Sequence, residues 1–596
     1  MSPLSWDGTA PPSGRGEYSR EIATGIPGLR LRVTAVGARA LEVRTVIGDR
    51  SLTLEAAPLD LDPPGGGPAR VRVEWQLPCA GATALWTPAT GTRWLPPSWS
   101  APRTAALPAG APIGSLIGAG DAALCTFAVA ERVLPVAIGE GAVEESGEFT
   151  WWVEHQVEGE PLRLRLDLTG RHFAETLAGM VSWWGADELP AVPDGAFEPV
   201  FCTWYARHLE ITAAETERLA ALAAPLGFGA LIVDDGWQTE ETTRSYATTG
   251  DWQPAAGPFP DFAAHVARVR ALGLAYLLWH ALPFAGDRSA AGQRFAGRRL
   301  AHLAELETSV LDPADPEVRD HLVERLAAAV EQHGVDGLKI DFIDTFSRHA
   351  ADQVAVAEGV RLLLAELDAR LRAARPGLLV EHRQPYIGPG LWPYATMVRA
   401  TDCPHNAAEN RARTTDLRLT AGPLAVHADP LTWHPDEHPV EIAVQLQSVL
   451  FATAQVSVDL GAQGPEQLAA LRFWLAVMRE HVGLLQRGTF RPHRPELGYP
   501  LLESRRGGQL AVGRYAPVPV AVTGAWELLL VANADPDPLV RLVFERPPGR
   551  LDLLVRDCAG VAVTQATITA QECELAVPVP RGGLLTLAPS RTVGRG

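Results

Sequence analysis

Lysine is almost absent from this sequence. Of its 52 lysine and arginine residues, only Lys339 is a lysine. Because arginine stands at every other cationic position, the site of Lys339 is predicted to need a compact ammonium group on a flexible stem. Lys339 lies in an apolar run that ends on a carboxylate, 337–342 (GLKIDF). Residues 339 and 341 of a strand face the same side, so Lys339 and Asp341 are predicted to share one functional site, with a structural ion pair as the alternative.

Positive net charge, long apolar runs and paired cysteines are also missing. The formal net charge of −18 argues against nucleic acid or an anionic membrane as a partner. No stretch approaches the roughly 20 apolar residues of a membrane helix, and the polar N-terminus at 1–18 has no signal-peptide core. No CxxC pair indicates a disulfide framework or a zinc ribbon, so the cytoplasm is the expected compartment. The six cysteines are scattered, at Cys79, Cys125, Cys202, Cys403, Cys558 and Cys573.

The pattern of the 596 residues changes twice along the chain. Residues 20 to about 180 often alternate apolar and charged positions, as in 162–168 (LRLRLDL), and predict a large antiparallel β domain, a sandwich or supersandwich, without a long helix. After 190, short apolar runs alternate with helical segments. From about 494 onward the β pattern returns and predicts a small antiparallel β-sandwich. The predicted domains are 1–190, 191–493 and 494–596.

The middle segment contains eight short apolar runs separated by helices or long loops. Its length fits a (β/α)8 barrel, and a doubly wound open sheet is the alternative. Helix signals support the alternation: Thr212 is followed by Glu215 as in a capping box, Asp315 precedes Pro316, and Gly334 ends the helix that follows. The predicted strands are 199–204, 230–234, 274–279, 337–341, 378–381, 397–400, 424–427 and 455–459.

Polar side chains follow most of these predicted strands. In a barrel, the C-terminal ends of the strands carry the active groups. Two carboxyl groups can divide the acid and nucleophile roles in glycoside chemistry, further carboxylates accept from sugar hydroxyls, and tryptophan stacks on the apolar face of a sugar ring. No Gly-rich phosphate loop occurs at these ends, so carbohydrate chemistry is predicted. The strand-end residues are Asp234, Asp235, Trp237, Trp279, His280, Lys339, Asp341, Glu381, His382, Arg383, Asp402, His427, Asp429 and Asp459.

Eight segments resemble those of glycoside hydrolase family 36, the α-galactosidase-like enzymes, and occur in the family's order. The resemblance covers most of the chain, because β domain, barrel and small β domain also follow one another in that family. It implies a retaining α-glycosidase without metal or cofactor. The segments are 199–205 (PVFCTWY), 232–238 (IVDDGWQ), 250–252 (GDW), 311–313 (LDP), 336–344 (DGLKIDFID), 383–389 (RQPYIGP), 401–404 (TDCP) and 427–433 (HADPLTW).

The resemblance also implies roles for individual residues. Asp341 is implied as the nucleophile and Asp402 as the acid/base catalyst. Asp234 and Asp235 resemble the pair that binds sugar hydroxyls, and Lys339 resembles the lysine that binds the ring beside the nucleophile. The expected partner is an oligosaccharide or another glycoside, and a homo-oligomer is left open. The remaining residues implied in substrate binding are Trp204, Trp237, Trp279, Arg383, Tyr386, Asp429 and Trp433.

The sequence departs from family 36 in two places. A Cys- and Gly-rich loop after the fifth strand is replaced by 381–386 (EHRQPY), and Asp402 is followed by Cys403 instead of asparagine. The form 234–238 (DDGWQ) also resembles raffinose-synthase-like enzymes, which transfer galactose. Transfer, or a sugar other than galactose, is therefore an alternative to hydrolysis of α-galactosides. Two further alternatives are a non-catalytic carbohydrate-binding protein and a metal-dependent hydrolase with ligands at His427, Asp429, His434 and His438.

Overall fold

A computed structural model describes residues 17–61, 68–88, 94–157 and 160–590. Most of the polar N-terminus, residues 1–16, therefore lies outside the described residues. The first of two units contains the chain up to Leu189 together with Asp344–Leu362 and Pro385–Pro393. The second contains Pro190–Ile343, Leu363–Gln384 and the chain from Tyr394 onward. No helix within the described ranges is long and apolar enough to cross a membrane.

Two antiparallel six-stranded sheets form the first unit and confirm the predicted sandwich. Every second residue along Arg70–Pro78 is buried, as expected for a strand with one face on a core. Trp75 from one sheet meets Phe127 from the other, with ring centroids 5.1 Å apart. One sheet has the order Glu17–Glu21, Arg30–Val36, Arg70–Pro78, Glu148–Gln156, Val136–Val143, Arg103–Ala105, and the other Ala38–Gly48, Ser51–Leu61, Leu162–Asp167, Ala123–Val129, Ile113–Gly118, Ala82–Trp86.

A helix of 11 residues ends this β region, for which the sequence pattern predicted strands and no long helix. Phe173–Trp183 is helical, and the side chain of His172 caps its N-terminus. The hydroxyl of Thr176 lies 2.6 Å from the hydroxyl of Thr126 in the adjacent sheet. The short helix was missed because residues such as Gly179 lower its intrinsic propensity. Packing on the sheet supplies the stability that the local sequence lacks.

An eight-stranded parallel sheet closes into a barrel in the second unit. Parallel bridges from His427 to Thr453 and from Leu431 to Val456 join its two end strands, so the open-sheet alternative is excluded. Each strand overlaps the range predicted for it, and the barrel is confirmed. The first to eighth barrel strands are Val200–Cys202, Ala230–Val233, Ala275–Ala281, Gly337–Asp341, Leu379–Arg383, Met397–Arg399, Ala425–His427 and Gln455–Val456.

Helices alternate with these strands and begin where the capping signals predict. Thr212 Oγ1 accepts a hydrogen bond from the Glu215 amide at 3.2 Å. The carboxylate of Glu215 does not complete the capping box, because it pairs with Arg207 and Arg218. Gly334 ends a helix with φ of 70°. The helices from residue 204 onward are Trp204–Arg207, Ala213–Ala223, Phe262–Ala271, Ala290–Arg294, Pro316–His333, Asp344–Arg348, Gln353–Ala374, Ala407–Arg418, Pro439–Ser448, Pro465–Glu480 and Val482–Leu485.

Two further β structures belong to the second unit. A three-stranded antiparallel sheet that was not predicted follows the third barrel strand, with strands Phe284–Gly286, Arg299–Leu303 and Thr308–Leu311. The C-terminal region forms the predicted β-sandwich, whose sheets each include one parallel pair. Its larger sheet has the order Thr489–His493, Leu501–Arg506, Gln509–Arg514, Leu528–Asn533, Gly583–Pro589, Gly549–Arg556, Ala562–Ala570, and its smaller sheet Val520–Val522, Leu539–Phe544, Glu574–Pro578.

Candidate active site

The C-terminal ends of the barrel strands surround a cavity in the second unit. Its lining combines carboxylates, cations and aromatic rings, supplied by strand ends and the loops after them. Eight of the twelve residues implied by the resemblance, and seven of the fourteen strand-end residues, line this one cavity. The predicted residues in the lining are Trp204, Asp234, Asp235, Trp279, Lys339, Asp341, Asp402 and Asp429. The lining residues that were not predicted are Arg244, Tyr246, Phe342, Arg399 and Pro430.

Asp341 ends the fourth barrel strand and is held through both carboxylate oxygens. Its Oδ1 accepts from the Phe342 amide at 2.8 Å and from Nε of Arg383, and its Oδ2 accepts from Trp279 Nε1 at 3.2 Å. Phe342 has a φ of 65°, which is uncommon for a bulky residue. Burial alone would raise the pKa of Asp341, but the charges of Arg383 and Lys339 outweigh it and hold that pKa well below its usual range. Asp341 is therefore an ionised, fixed carboxylate.

Lys339, in the fourth barrel strand, pairs directly with Asp234, which follows the second. Its Nζ lies 2.5 Å from Oδ2 of Asp234, and both side chains are buried. The thiol of Cys202 lies 3.5 Å from the same Oδ2, and the Asp234 amide donates to Thr203 Oγ1 at 3.0 Å. Burial would lower the pKa of Lys339, but Asp234 raises it above its usual value, so the ammonium stays charged. Lys339 and Asp341 share the cavity as predicted, while the closest ion pair of Lys339 is with Asp234.

Asp235 is the second carboxylate of the adjacent pair. Its amide donates to Oδ1 of Asp234 at 3.0 Å, and Gln238 Nε2 donates to its own Oδ1 at 2.6 Å. Burial raises the pKa of Asp235 to about 7, against the opposing effect of the Gln238 hydrogen bond. Near neutral pH the carboxyl group of Asp235 can therefore be either ionised, and a hydrogen-bond acceptor only, or protonated, and a donor as well.

Asp402 follows the sixth barrel strand, and its side chain remains 61% exposed. One guanidinium nitrogen, Nη1 of Arg399, lies 3.1 Å from Asp402 Oδ1 and 2.5 Å from Asp429 Oδ1. Partial burial would raise the pKa of Asp402, but Arg399 outweighs it and lowers that pKa below its usual value. Burial raises the pKa of Asp429 to about 6, although Arg399 opposes the shift. One arginine therefore contacts two carboxylates, one largely exposed and one buried.

Aromatic side chains form one wall of the cavity. The rings of Tyr246 and Trp279 stack with centroids 6.3 Å apart, and Phe342 meets Tyr246 edge-on at 5.6 Å. The guanidinium of Arg244 lies 5.0 Å above the ring of Trp204. Such rings suit the apolar face of a sugar, whose hydroxyls would then face the carboxylates.

Four of the residues that the resemblance implied in substrate binding lie outside this lining, as do the strand-end residues His280, Glu381, His382, His427 and Asp459. Trp237 is buried behind the wall and donates its Nε1–H to the carbonyl of Trp279 at 2.9 Å. Arg383 donates from Nε to Asp341 Oδ1, and Trp433 is buried. Tyr386 is fully buried and belongs to the first unit.

The lining residues that were not predicted differ in whether the sequence carries a signal for them. Phe342 and Pro430 directly follow predicted residues. Arg399 is the last residue of the sixth barrel strand and satisfies the strand-end criterion, so its signal was present. Arg244 and Tyr246 lie in the long loop after the second barrel strand, where no periodicity distinguishes them.

The alternative metal ligands are not brought together. His427 Nε2 lies 2.7 Å from the carbonyl oxygen of Ala196, and burial lowers the pKa of His427 to about 4. His434 and His438 accept hydrogen bonds from backbone amides two residues further on. Asp429 is engaged by a guanidinium. Among the described residues these side chains form no cluster of ligand atoms.

Comparison with known proteins agrees with this architecture. Residues 196–381 match the family model Melibiase, while a search of curated protein sequences finds no match. The chain is a glycoside hydrolase that resembles the α-galactosidases of family 36. The resemblance stated from the motifs is thereby confirmed.

The glycosidase shares its fold with several solved structures. The α-galactosidase from Lactobacillus brevis matches with a TM-score of 0.64 at 15% identity, over 98% of this chain and 86% of that one. The family 36 α-galactosidase AgaA from Geobacillus stearothermophilus matches with a TM-score of 0.62 at 14% identity, over 96% and 87% of the two chains. The α-galactosidase TtGalA from Thermus thermophilus matches with a TM-score of 0.51 at 20% identity, over 77% and 94%. At these identities the likeness is one of fold.

Proposed function

We propose that the glycosidase hydrolyses α-galactosides with retention of configuration, with Asp341 as nucleophile and Asp402 as acid/base catalyst. The observation that carries this proposal is the pairing of two unlike carboxylates in one cavity. Asp341 is buried, ionised and fixed through both oxygens, whereas Asp402 is largely exposed and hydrogen bonded through one oxygen. Retaining glycosidases need one carboxylate that attacks and a second that exchanges a proton with leaving group and water.

The first half-reaction forms a glycosyl ester. A carboxylate oxygen of Asp341 attacks the anomeric carbon, the bond from that carbon to the leaving oxygen breaks, and Asp402 gives its proton to that oxygen. Oδ2 of Asp341 is the better placed to attack, because Oδ1 already accepts two hydrogen bonds and Oδ2 one. The step leaves Asp402 as a carboxylate and Asp341 as a neutral ester.

The second half-reaction reverses these roles. Asp402 takes a proton from an incoming water, whose oxygen attacks the anomeric carbon, and the ester bond to Asp341 breaks. Two inversions at one carbon give net retention. A sugar hydroxyl in place of water would give transfer, so product analysis at high acceptor concentration measures the balance between the two reactions.

Galactose is the proposed glycone because an adjacent carboxylate pair lines the cavity together with the candidate nucleophile. Asp234, held by Lys339, and Asp235 can accept from the hydroxyls of one sugar ring. Variants of AgaA have been crystallised with raffinose and stachyose, and TtGalA with p-nitrophenyl α-D-galactopyranoside. The epimer with an equatorial 4-hydroxyl would leave a buried acceptor unpaired, which costs about 1–3 kcal/mol. We therefore expect kcat/KM for an aryl α-galactoside to exceed that for the α-glucoside by at least roughly tenfold.

Chemical rescue with azide tests both assignments. Asp341→Ala should abolish turnover of an activated aryl α-galactoside, and azide should restore reaction by attacking the anomeric carbon directly, giving the β-galactosyl azide. Asp402→Ala should also be slow on that substrate in water, and azide should trap its ester intermediate, giving the α-galactosyl azide.

The configuration of the azide product, read by proton NMR, separates the two roles. An α-azide from the Asp341 variant, or normal turnover without azide, would contradict the nucleophile assignment. Glu409→Ala is a matched control, since this half-buried carboxylate pairs with Arg413 on its own helix, does not line the cavity and should leave the rates unchanged.

A further inference from the structure

Tyr246 is fixed at the cavity by both its backbone and its ring. Its amide donates to the carbonyl of Leu306 at 3.0 Å, and its carbonyl accepts from the amide and the hydroxyl of Thr249 at 3.1 and 2.7 Å. Its ring packs against those of Trp279 and Phe284, with centroids 6.3 and 5.1 Å away. The phenol therefore keeps one position, although it comes from an irregular loop.

The hydroxyl of this phenol is available as a donor. Tyr246 lines the cavity, and its hydroxyl makes no hydrogen bond to any described residue. Burial, and then the charges of Asp235, Asp341 and Asp234, raise the pKa of Tyr246 above its usual value, so the hydroxyl keeps its proton at neutral pH. A fixed donor thus faces three carboxyl groups without bonding to any of them.

Asp235 is the acceptor of these three that a ligand can reach most easily. Lys339 holds Asp234 and Arg383 holds Asp341 in ion pairs, whereas no cationic side chain among the described residues forms an ion pair with Asp235. Its Oδ1 accepts from the neutral amide of a glutamine at 2.6 Å. Asp235 therefore keeps acceptor capacity that the protein does not use.

A sugar hydroxyl satisfies a donor and an acceptor at the same time. It carries one O–H and two lone pairs, so it can donate to a carboxyl oxygen while it accepts from a phenol. Either protonation state of Asp235 can take part, because a protonated carboxyl group still accepts through its other oxygen. A hydrogen atom in place of the sugar hydroxyl would leave both protein groups without a partner.

We propose that Tyr246 is a specificity-determining residue that binds substrate directly, by donating to the same glycone hydroxyl that donates to Asp235. This inference deepens the proposed function and rests on it, since it needs a glycone in the cavity. A phenol donor opposite a carboxyl acceptor reads a hydroxyl more strictly than the two carboxylates alone, because the sugar oxygen must then both donate and accept.

Tyr246→Phe tests the hydroxyl alone, because it removes one oxygen and keeps the ring. The urea midpoint should not fall, since the hydroxyl has no partner among the described residues, while kcat/KM for p-nitrophenyl α-galactoside should fall roughly three- to tenfold. Tyr515→Phe is the matched control with the opposite result. The Tyr515 hydroxyl donates to the carbonyl of Gln447 at 2.7 Å and does not line the cavity, so this variant should lower the urea midpoint and keep wild-type kcat/KM.

Monodeoxy galactosides show whether Tyr246 and Asp235 share one hydroxyl. Wild type, Tyr246→Phe and Asp235→Ala are compared on aryl α-galactosides that lack the 2-, 3-, 4- or 6-hydroxyl. On the substrate without the shared hydroxyl, the effect of Tyr246→Phe should shrink to less than about twofold, and that of Asp235→Ala should shrink on the same substrate.

Three results would overturn the inference. They are wild-type kinetics in Tyr246→Phe, equal losses in that variant on every deoxy substrate, and coupling of Tyr246 and Asp235 to different hydroxyls. A lower urea midpoint together with equal losses would assign the hydroxyl a structural role. Failure of the wild-type enzyme to cleave p-nitrophenyl α-galactoside would instead contradict the proposed function.

Discussion

The carboxylates in the cavity differ mainly in the charged groups that lie beside them. Burial acts on all of them, yet the outcome diverges: the guanidinium of Arg383 keeps the pKa of Asp341 low, whereas burial raises the pKa of Asp235 to about 7. One residue type thus gives a fixed anion at Asp341 and a group of variable protonation at Asp235, as their proposed roles of nucleophile and hydroxyl-binding group require. The difference in pKa comes from cations of defined shape beside each carboxylate. For activity, the identity of each cationic side chain should therefore matter more than its charge alone.

Replacement of the only lysine tests that statement. Lys339→Arg keeps the charge, but a planar guanidinium cannot occupy the space between Asp234 and the barrel wall that a buried ammonium fills at 2.5 Å. We expect kcat/KM for an aryl α-galactoside to fall at least roughly tenfold, about 1.4 kcal/mol of transition-state stabilisation. Arg218→Lys, at an exposed ion pair with Glu215, is the matched control and should have wild-type kinetics. Unchanged kinetics in Lys339→Arg would contradict a requirement for ammonium at this position.

Secondary-structure elements were the most predictable part of the molecule. Short apolar runs that end on acidic residues, such as Asp234 and Asp341, predicted the barrel strands. At these positions the hydrophobic pattern and the polar strand end both indicate the same strand. Phe284–Gly286 and its two partner strands were not predicted, since strands of three to five residues show no readable alternation. Arg244 and Tyr246 reach the cavity from an irregular loop, and only tertiary packing places them.

The helix that ends at Gly334 gives a prediction at this scale. Gly334 has φ of 70° with no neighbouring atom within 4 Å of an added Cβ, so Gly334→Ala changes backbone strain alone. The free energy of unfolding should fall by about 1–2 kcal/mol, seen as a lower midpoint in urea. Gly377 is equally open but lies outside the left-handed region. Gly377→Ala should therefore be neutral or stabilising by up to about 1 kcal/mol, and equal losses in both variants would rule out strain as the cause.

At the scale of the whole molecule, opposing buried groups set how stability depends on pH. Burial raises the pKa values of Asp235, Glu381 and Asp429, which favours the folded state as pH falls through the acid range. More numerous histidines act in the opposite direction, because they are neutral when folded and gain protons when unfolded. The histidines whose pKa is lowered are His208, His265, His280, His321, His333, His382, His427 and His481. Stability is therefore expected to decline below about pH 6.5.

His280 offers a direct test of that decline. It is fully buried against Trp237 and Trp252, and burial lowers its pKa to about 3. Below about pH 6.5 only the unfolded chain binds the proton, so this residue alone costs about 1.4 kcal/mol of stability for each pH unit down towards its folded pKa. His280→Phe keeps an aromatic ring in place and should reduce the slope of unfolding free energy against pH by about that amount between about pH 6 and 4.5. His434→Gln, at an exposed position, should leave the slope unchanged. Equal slopes in wild type and His280→Phe would show that His280 is protonated in the folded protein.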